Sequence, residues 1–135
     1  MRRFVLAVVV LAVFAVPVLS ASAAGGSGTI TPTARQKGGI IRGWAFPGGT
    51  KTPARCLRTA ISRGNPVLAG LDFNERASGC SRYAFDGTAI LWGRGSSWNR
   101  LIAGSSIEGD CVSLRRLMGA SAWRDLSRYV NGLGC

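Results

Sequence analysis

The chain has 135 residues, 17 Lys and Arg against 6 Asp and Glu, four cysteines and no histidine, for a formal net charge of +11. The missing histidine excludes Ser-His-Asp and Cys-His nucleophilic catalysis, histidine acid–base work and most zinc sites. The length sets the expectation of a single domain with a modest core.

Arg2 and Arg3 precede an apolar run over residues 4–19, and Ala21-Ser22-Ala23 supplies the small residues of a signal-peptidase site. The run is 16 residues long, short of the ~20 a membrane span needs. Residues 1–23 therefore read as an export signal cleaved near Ala23, with an uncleaved anchor as the lesser reading. No cysteine precedes Cys56, which argues against an acylated anchor. Cleavage removes two arginines and no acid and leaves 112 residues with a charge of +9. Residues 24–39 are rich in Gly, Ser, Thr and Pro and read as a flexible linker. That leaves 40–135 as the folded domain. Its first segment, 40–46, reads as an edge strand ended by Pro47-Gly48-Gly49.

Alternation sharpens from residue 55 onward. Residues 56–62 and 67–73 each alternate around the turn cluster Arg63-Gly64-Asn65-Pro66, which predicts a β-hairpin. A polar loop over 74–86 holds Cys80. Residues 88–92 and 98–103 form a second predicted hairpin about the turn at 93–97. The period then becomes helical: Leu114, Leu117 and Met118, then Ala122, Leu126, Tyr129, Val130 and Leu133. A helical turn near 113–118 and a firmer helix over 121–131 are expected, divided at Gly119 and stopped at Gly132. The resulting fold class is α+β: a four-stranded antiparallel meander with one face covered by a C-terminal helix. Its expected core contains Leu57, Ile61, Val67, Leu71, Phe73, Ile90, Trp92, Leu101, Leu126 and Val130. A bulge or slip in the fourth strand would exchange the faces of Trp98 and Arg100 with those of Asn99 and Leu101.

In an exported chain the even cysteine count predicts two disulfides, with three pairings open. The first hairpin sets Cys56 beside the low seventies, a few residues from Cys80. Cys56–Cys80 thus needs little chain travel to reach the ~5.5–6 Å Cα separation of a disulfide, and Cys111–Cys135 follows. The cysteines lie 24, 31 and 24 residues apart with no CxxC pair, so a thiolate zinc site is disfavoured. No other metal or cofactor motif is present.

The region 55–135 resembles a class of small secreted four-cysteine proteins from GC-rich bacteria that carries no assigned activity. The matching pieces are Cys56-Leu57, Cys80, the strand Asp86-Gly87-Thr88-Ala89-Ile90-Leu91, Trp98 through Gly104-Ser105, Cys111, and Leu133-Gly134-Cys135. The resemblance implies a β-meander followed by a terminal helix. One departure stands out: Gly119-Ala120-Ser121 replaces the proline that precedes the helix in that class.

For function, the positive field favours an anionic cell-envelope polymer, an anionic membrane surface or nucleic acid. Plain solubility is the neutral explanation. Basic residues are scattered, and zinc-finger and RNP signatures are missing, which argues against nucleic acid. Trp92 and Trp98 flank one turn. They read either as core aromatics or, with Arg94 and Arg100, as an exposed binding platform. The expected role is a non-enzymatic binding module for an anionic cell-envelope polymer or an extracellular protein. The alternatives are a cationic membrane-active or antimicrobial protein, using Arg115, Arg116, Arg124 and Arg128, and a small hydrolase using Asp72 with Glu75 or Glu108 with Asp110.

Overall fold

The computed structural model of the protein describes residues 28–45, 51–83, 88–104 and 110–135. The expected signal over 1–23, the first residues of the expected linker, and the acids Asp86 and Glu108 lie outside these residues. The elements are β1 (Thr29–Ile30), α1 (Ala34–Trp44), a 3-10 turn (Ala54–Cys56), β2 (Leu57–Ser62), β3 (Leu68–Phe73), a second 3-10 turn (Ser81–Tyr83), β4 (Thr88–Arg94), β5 (Ser97–Gly104), α2 (Cys111–Asp125) and α3 (Ser127–Gly132). The strands form one antiparallel sheet in the order β1-β2-β3-β4-β5. The α+β class and the two hairpins agree with expectation, but the strand count is five rather than four.

The fifth strand and an additional helix come from the N-terminal segment. The expectation of linker over 28–39 and an edge strand over 40–46 does not hold: 29–30 form β1, and α1 runs from 34 to 44 across both segments. The helix starts at a capping box: the Thr33 hydroxyl accepts from the Gln36 amide at 3.2 Å, and the Gln36 side chain accepts from the Thr33 amide at 2.9 Å. Its glycines are the physical reason the segment was misread. A Cβ on Gly39 would lie 2.5 Å from the Ser96 carbonyl oxygen, and one on Gly43 would overlap the Trp98 carbonyl oxygen. One turn apart, these two glycines bring α1 to backbone contact with the β4–β5 turn and with β5. Composition alone cannot separate that use of glycine from linker flexibility.

With α1 seated on one face and α2 and α3 on the other, the sheet is buried on both sides. Against α1 lie Leu57, Ile61, Ala69, Leu71, Ala89, Leu91 and Trp98, with Ile40 and Trp44 from the helix. On the opposite face Ala60, Leu68 and Ile90 meet Leu114, Met118, Leu126 and Val130. Two-sided burial explains why β4 begins Thr88-Ala89-Ile90-Leu91, all buried, instead of alternating with polar residues. The β4–β5 ladder pairs Ile90 with Ile102 but Leu91 with Arg100, so a bulge leaves Leu101 unpaired. Leu101 and Ile102 both pack toward the α2/α3 core, while Trp98 packs toward α1.

Of the expected core, Leu57, Ile61, Leu71, Phe73, Ile90, Leu126 and Val130 are buried, and Val67 and Leu101 pack at its margin. Trp92 is the exception at 51% exposed. The terminal helix breaks at Gly119, where φ is 76° within α2, and again at Leu126. Both disulfides have the expected pairing, with Cα separations of 5.3 Å for Cys56–Cys80 and 5.6 Å for Cys111–Cys135. The first is surrounded by a small third cluster with Phe73, Ala77 and Tyr83. The second ties the start of α2 to the chain end.

The glycine contacts generate a paired prediction. Gly43→Ala should destabilise the fold by about 1–3 kcal/mol, because the new methyl meets rigid backbone. Gly38→Ala, whose Cβ would meet only the flexible end of Arg42 at 3.4 Å, should be neutral or stabilise by about 0.5–1 kcal/mol through helix propensity. Urea denaturation of both variants checks the contrast.

Candidate functional site

The structure divides the four residues of the expected hairpin platform. Trp98 stands opposite Gly93, and Trp92 opposite Asn99, so the two rings leave the sheet on opposite faces. Trp98 is 5% exposed beneath α1, and its Nε1 donates to the Gly95 carbonyl at 2.9 Å. Arg100 shares the α1 face, and its guanidinium approaches the Trp44 carbonyl at 3.5 Å. With Arg42 and Asn99, Trp98 and Arg100 border a polar depression between α1 and the β4–β5 turn. Trp92 is remote from that depression, being on the other face, and Arg94 is exposed near the turn. An aromatic pair does not form.

A larger groove of about 560 Å³ opens at the other end of the sheet, where β1 leaves β2. One wall is the stretch 29–32, and the other is the outer edge of β2 from Leu57 to Ala60. Lys37 from α1, Arg55 from the first 3-10 turn, Arg58 from β2 and Arg128 from α3 all line it. Sheet geometry explains their convergence. Arg58 and Ala60 share the face on which α3 packs, and cross-strand pairing sets Arg58 opposite Asp72. Arg128 Nε donates to the Asp72 carboxylate at 3.2 Å. Arg58 donates to the Asn74 side-chain oxygen from Nε at 2.9 Å and from Nη2 at 2.5 Å. Its fork is thereby held by a neutral group.

The acid in the groove lining, Asp125, is committed elsewhere. Oδ1 accepts from the Gly28 amide at 2.6 Å; Oδ2 accepts from the Gly64 amide at 2.7 Å and from the Ser62 hydroxyl at 2.8 Å. Burial raises the Asp125 pKa, but these hydrogen bonds, with the Arg63 amide, outweigh it and hold the carboxyl below its ordinary value. The same contacts join the end of α2 to the β2–β3 turn and to the residue before β1. Beneath the groove Tyr129 lies on Gly70, where any Cβ would overlap its ring. Burial first, then the negative charge of Asp72, raises the Tyr129 pKa, so the phenol stays protonated at neutral pH.

The carboxylates considered for hydrolysis fall into a different setting. Asp72 and Glu75 border a depression with Arg58, Arg76 and Arg128, a ratio that suits ion pairing. Asp110 is the N-cap residue of α2 and makes no side-chain capping bond. Among the described residues no group of three or more His, Cys, Asp or Glu is placed to hold a metal ion. On α2 the residues Leu114, Met118 and Ala122 are buried against the sheet, while Val112 and Leu117 are exposed. No helix among the described residues is long and apolar enough to cross a membrane.

In the sequence Lys37, Arg55, Arg58 and Arg128 are only scattered basic residues, and nothing marks Asp125. Their meeting depends on α1 being a helix and on the return of α3 to β2, contacts far apart in sequence. No protein-family model, no curated protein and no solved structure matches the chain.

Asp125 gives a pH prediction with a definite sign. Its folded pKa lies below the ordinary 3.8, so its contribution is full above that value and is lost as pH falls through the folded pKa. Asp125→Ala should cost about 1–3 kcal/mol at neutral pH. It should also flatten the loss of stability on acidification below 3.8. Urea melts of both proteins across the acid range measure it.

Proposed function

We propose that the chain is a secreted, non-enzymatic binding module that takes an anionic partner, a cell-envelope polymer or an extracellular protein, in the groove beside β2. The observation that carries this reading is the convergence of Lys37, Arg55, Arg58 and Arg128 on a groove whose own acid, Asp125, is saturated by internal hydrogen bonds. A concave cationic surface concentrates field and draws an anion more strongly than the same charges spread over a convex one. The two disulfides suit an oxidising space outside the cell. This agrees with export directed by residues 1–23 and cleavage near Ala23. The non-enzymatic reading rests on the absence of histidine from the sequence and on the arginine-rich setting of Asp72 and Glu75.

Binding of the signal-free protein to poly-glutamate, followed by titration calorimetry, should weaken steadily as salt rises, because exposed charges are screened beyond ~8 Å at physiological ionic strength. Lys37→Glu with Arg55→Glu should lower affinity about tenfold or more, while Arg94→Ala should change it little. A loss confined to Arg94→Ala would return the site to the β4–β5 turn. Hydrolysis of a wall glycan or peptide by the purified, metal-free protein would contradict the non-enzymatic reading.

A further inference from the structure

The groove has a feature that charge alone does not explain: its inner wall is an open strand edge. In β2 the even-numbered residues bond to β3, as shown by the Asn74 amide donating to the Cys56 carbonyl at 2.8 Å and by the pairs Arg58–Asp72 and Ala60–Gly70. The odd-numbered residues therefore turn their backbone groups outward. At the far end β1 covers them: Ile30 pairs with Ile61, and the Arg63 amide donates to the Gly28 carbonyl at 3.0 Å. The cover then stops. Continuing that register would set Pro32 opposite Thr59, and proline has no N–H to give. Thr33 is already the N-cap of α1, so the chain turns away.

The Leu57 amide is occupied by the Ala54 carbonyl. Among the described residues, the Thr59 N–H, the Thr59 C=O and the Leu57 C=O have no backbone partner. Thr59 is partly exposed and lines the groove with the four basic side chains, whereas Leu57 is buried.

We infer that the partner's binding segment is an extended acidic peptide that adds as a strand to β2 along residues 57–60, running antiparallel to it in the place β1 vacates. This rests on the anion-binding reading above and specifies its ligand. One peptide residue opposite Thr59 exchanges two hydrogen bonds with it. Alternate side chains of such a strand point to opposite faces. Acids on one side meet Arg58 and Arg128; those on the other meet Lys37, on the α1 side. A polysaccharide or polyphosphate satisfies the charges but offers no strand N–H to pair with the outward Thr59 carbonyl.

The test compares three probes on the signal-free protein by fluorescence anisotropy: a short peptide alternating glutamate and threonine, its fully backbone N-methylated twin, and polyphosphate. The peptide should bind, and the twin, with identical charge and no N–H groups, should bind about tenfold weaker or worse. Lys37→Glu with Arg55→Glu should abolish binding of the peptide. Equal affinity for peptide and twin, or binding of polyphosphate alone, would overturn strand addition while leaving a cationic groove. Peptide binding unaffected by the charge reversal would put the peptide on another edge, such as β5, and overturn the site. Failure of all three probes would overturn both the strand addition and the anion-binding reading.

Discussion

The structure depends on one close approach: the backbone of α1 against the β4–β5 turn at Gly39 and against β5 at Gly43. Side chains at those positions would hold the helix away from the sheet, and Ile40 and Trp44 could not reach Leu57, Leu71 and Leu91. Fixing α1 there fixes its start at Thr33. The stretch before it must then cross from the sheet edge to the helix layer within a few residues, so β1 is two residues long and the outer edge of β2 over residues 57–60 has no paired strand. The open groove is thus a consequence of how the helix is seated.

The opposite layer is tied down by different means. Tyr129 lies on Gly70, and the Thr88 hydroxyl donates to the Tyr129 carbonyl at 2.8 Å, which brings α3 onto β3 and β4. Asp125 fastens the end of α2 to both Gly28 and the β2–β3 turn, a third tie between this layer and the sheet. In the chain-entropy view each disulfide, closing a loop of 24 residues, contributes about 3 kcal/mol. That is a large share of the roughly 5–15 kcal/mol expected for a domain.

Outside the N-terminal segment, the local signals in the chain are legible. The turn cluster at 63–66 and the alternation on either side located β2 and β3, and the same logic located β4 and β5. Once the first hairpin was placed, the cysteine pairing followed from reach. Gly119 marked the break in α2, where its φ of 76° disfavours any other residue. Non-local packing was not legible. In residues 34–44 the sequence ARQKGGIIRGW contains three glycines, and glycine that serves backbone contact has the same composition as glycine in a linker. Trp92 was assigned to the core because it continues an apolar strand; it lies past the end of helix cover and is half exposed. The basic groove collects residues from α1, β2, α3 and a 3-10 turn, so it exists only after the layers have assembled.

The free protein holds the outer edge of β2 over residues 57–60 open beside its cationic side chains. Amide hydrogen exchange of the signal-free protein, resolved residue by residue by NMR, tests it most directly. Arg58 and Ala60, whose amides face β3, should be strongly protected, while the Thr59 amide between them should exchange far faster. Protection of Thr59 equal to that of its two neighbours would mean that the edge is already covered and that β2 has no room for a partner strand.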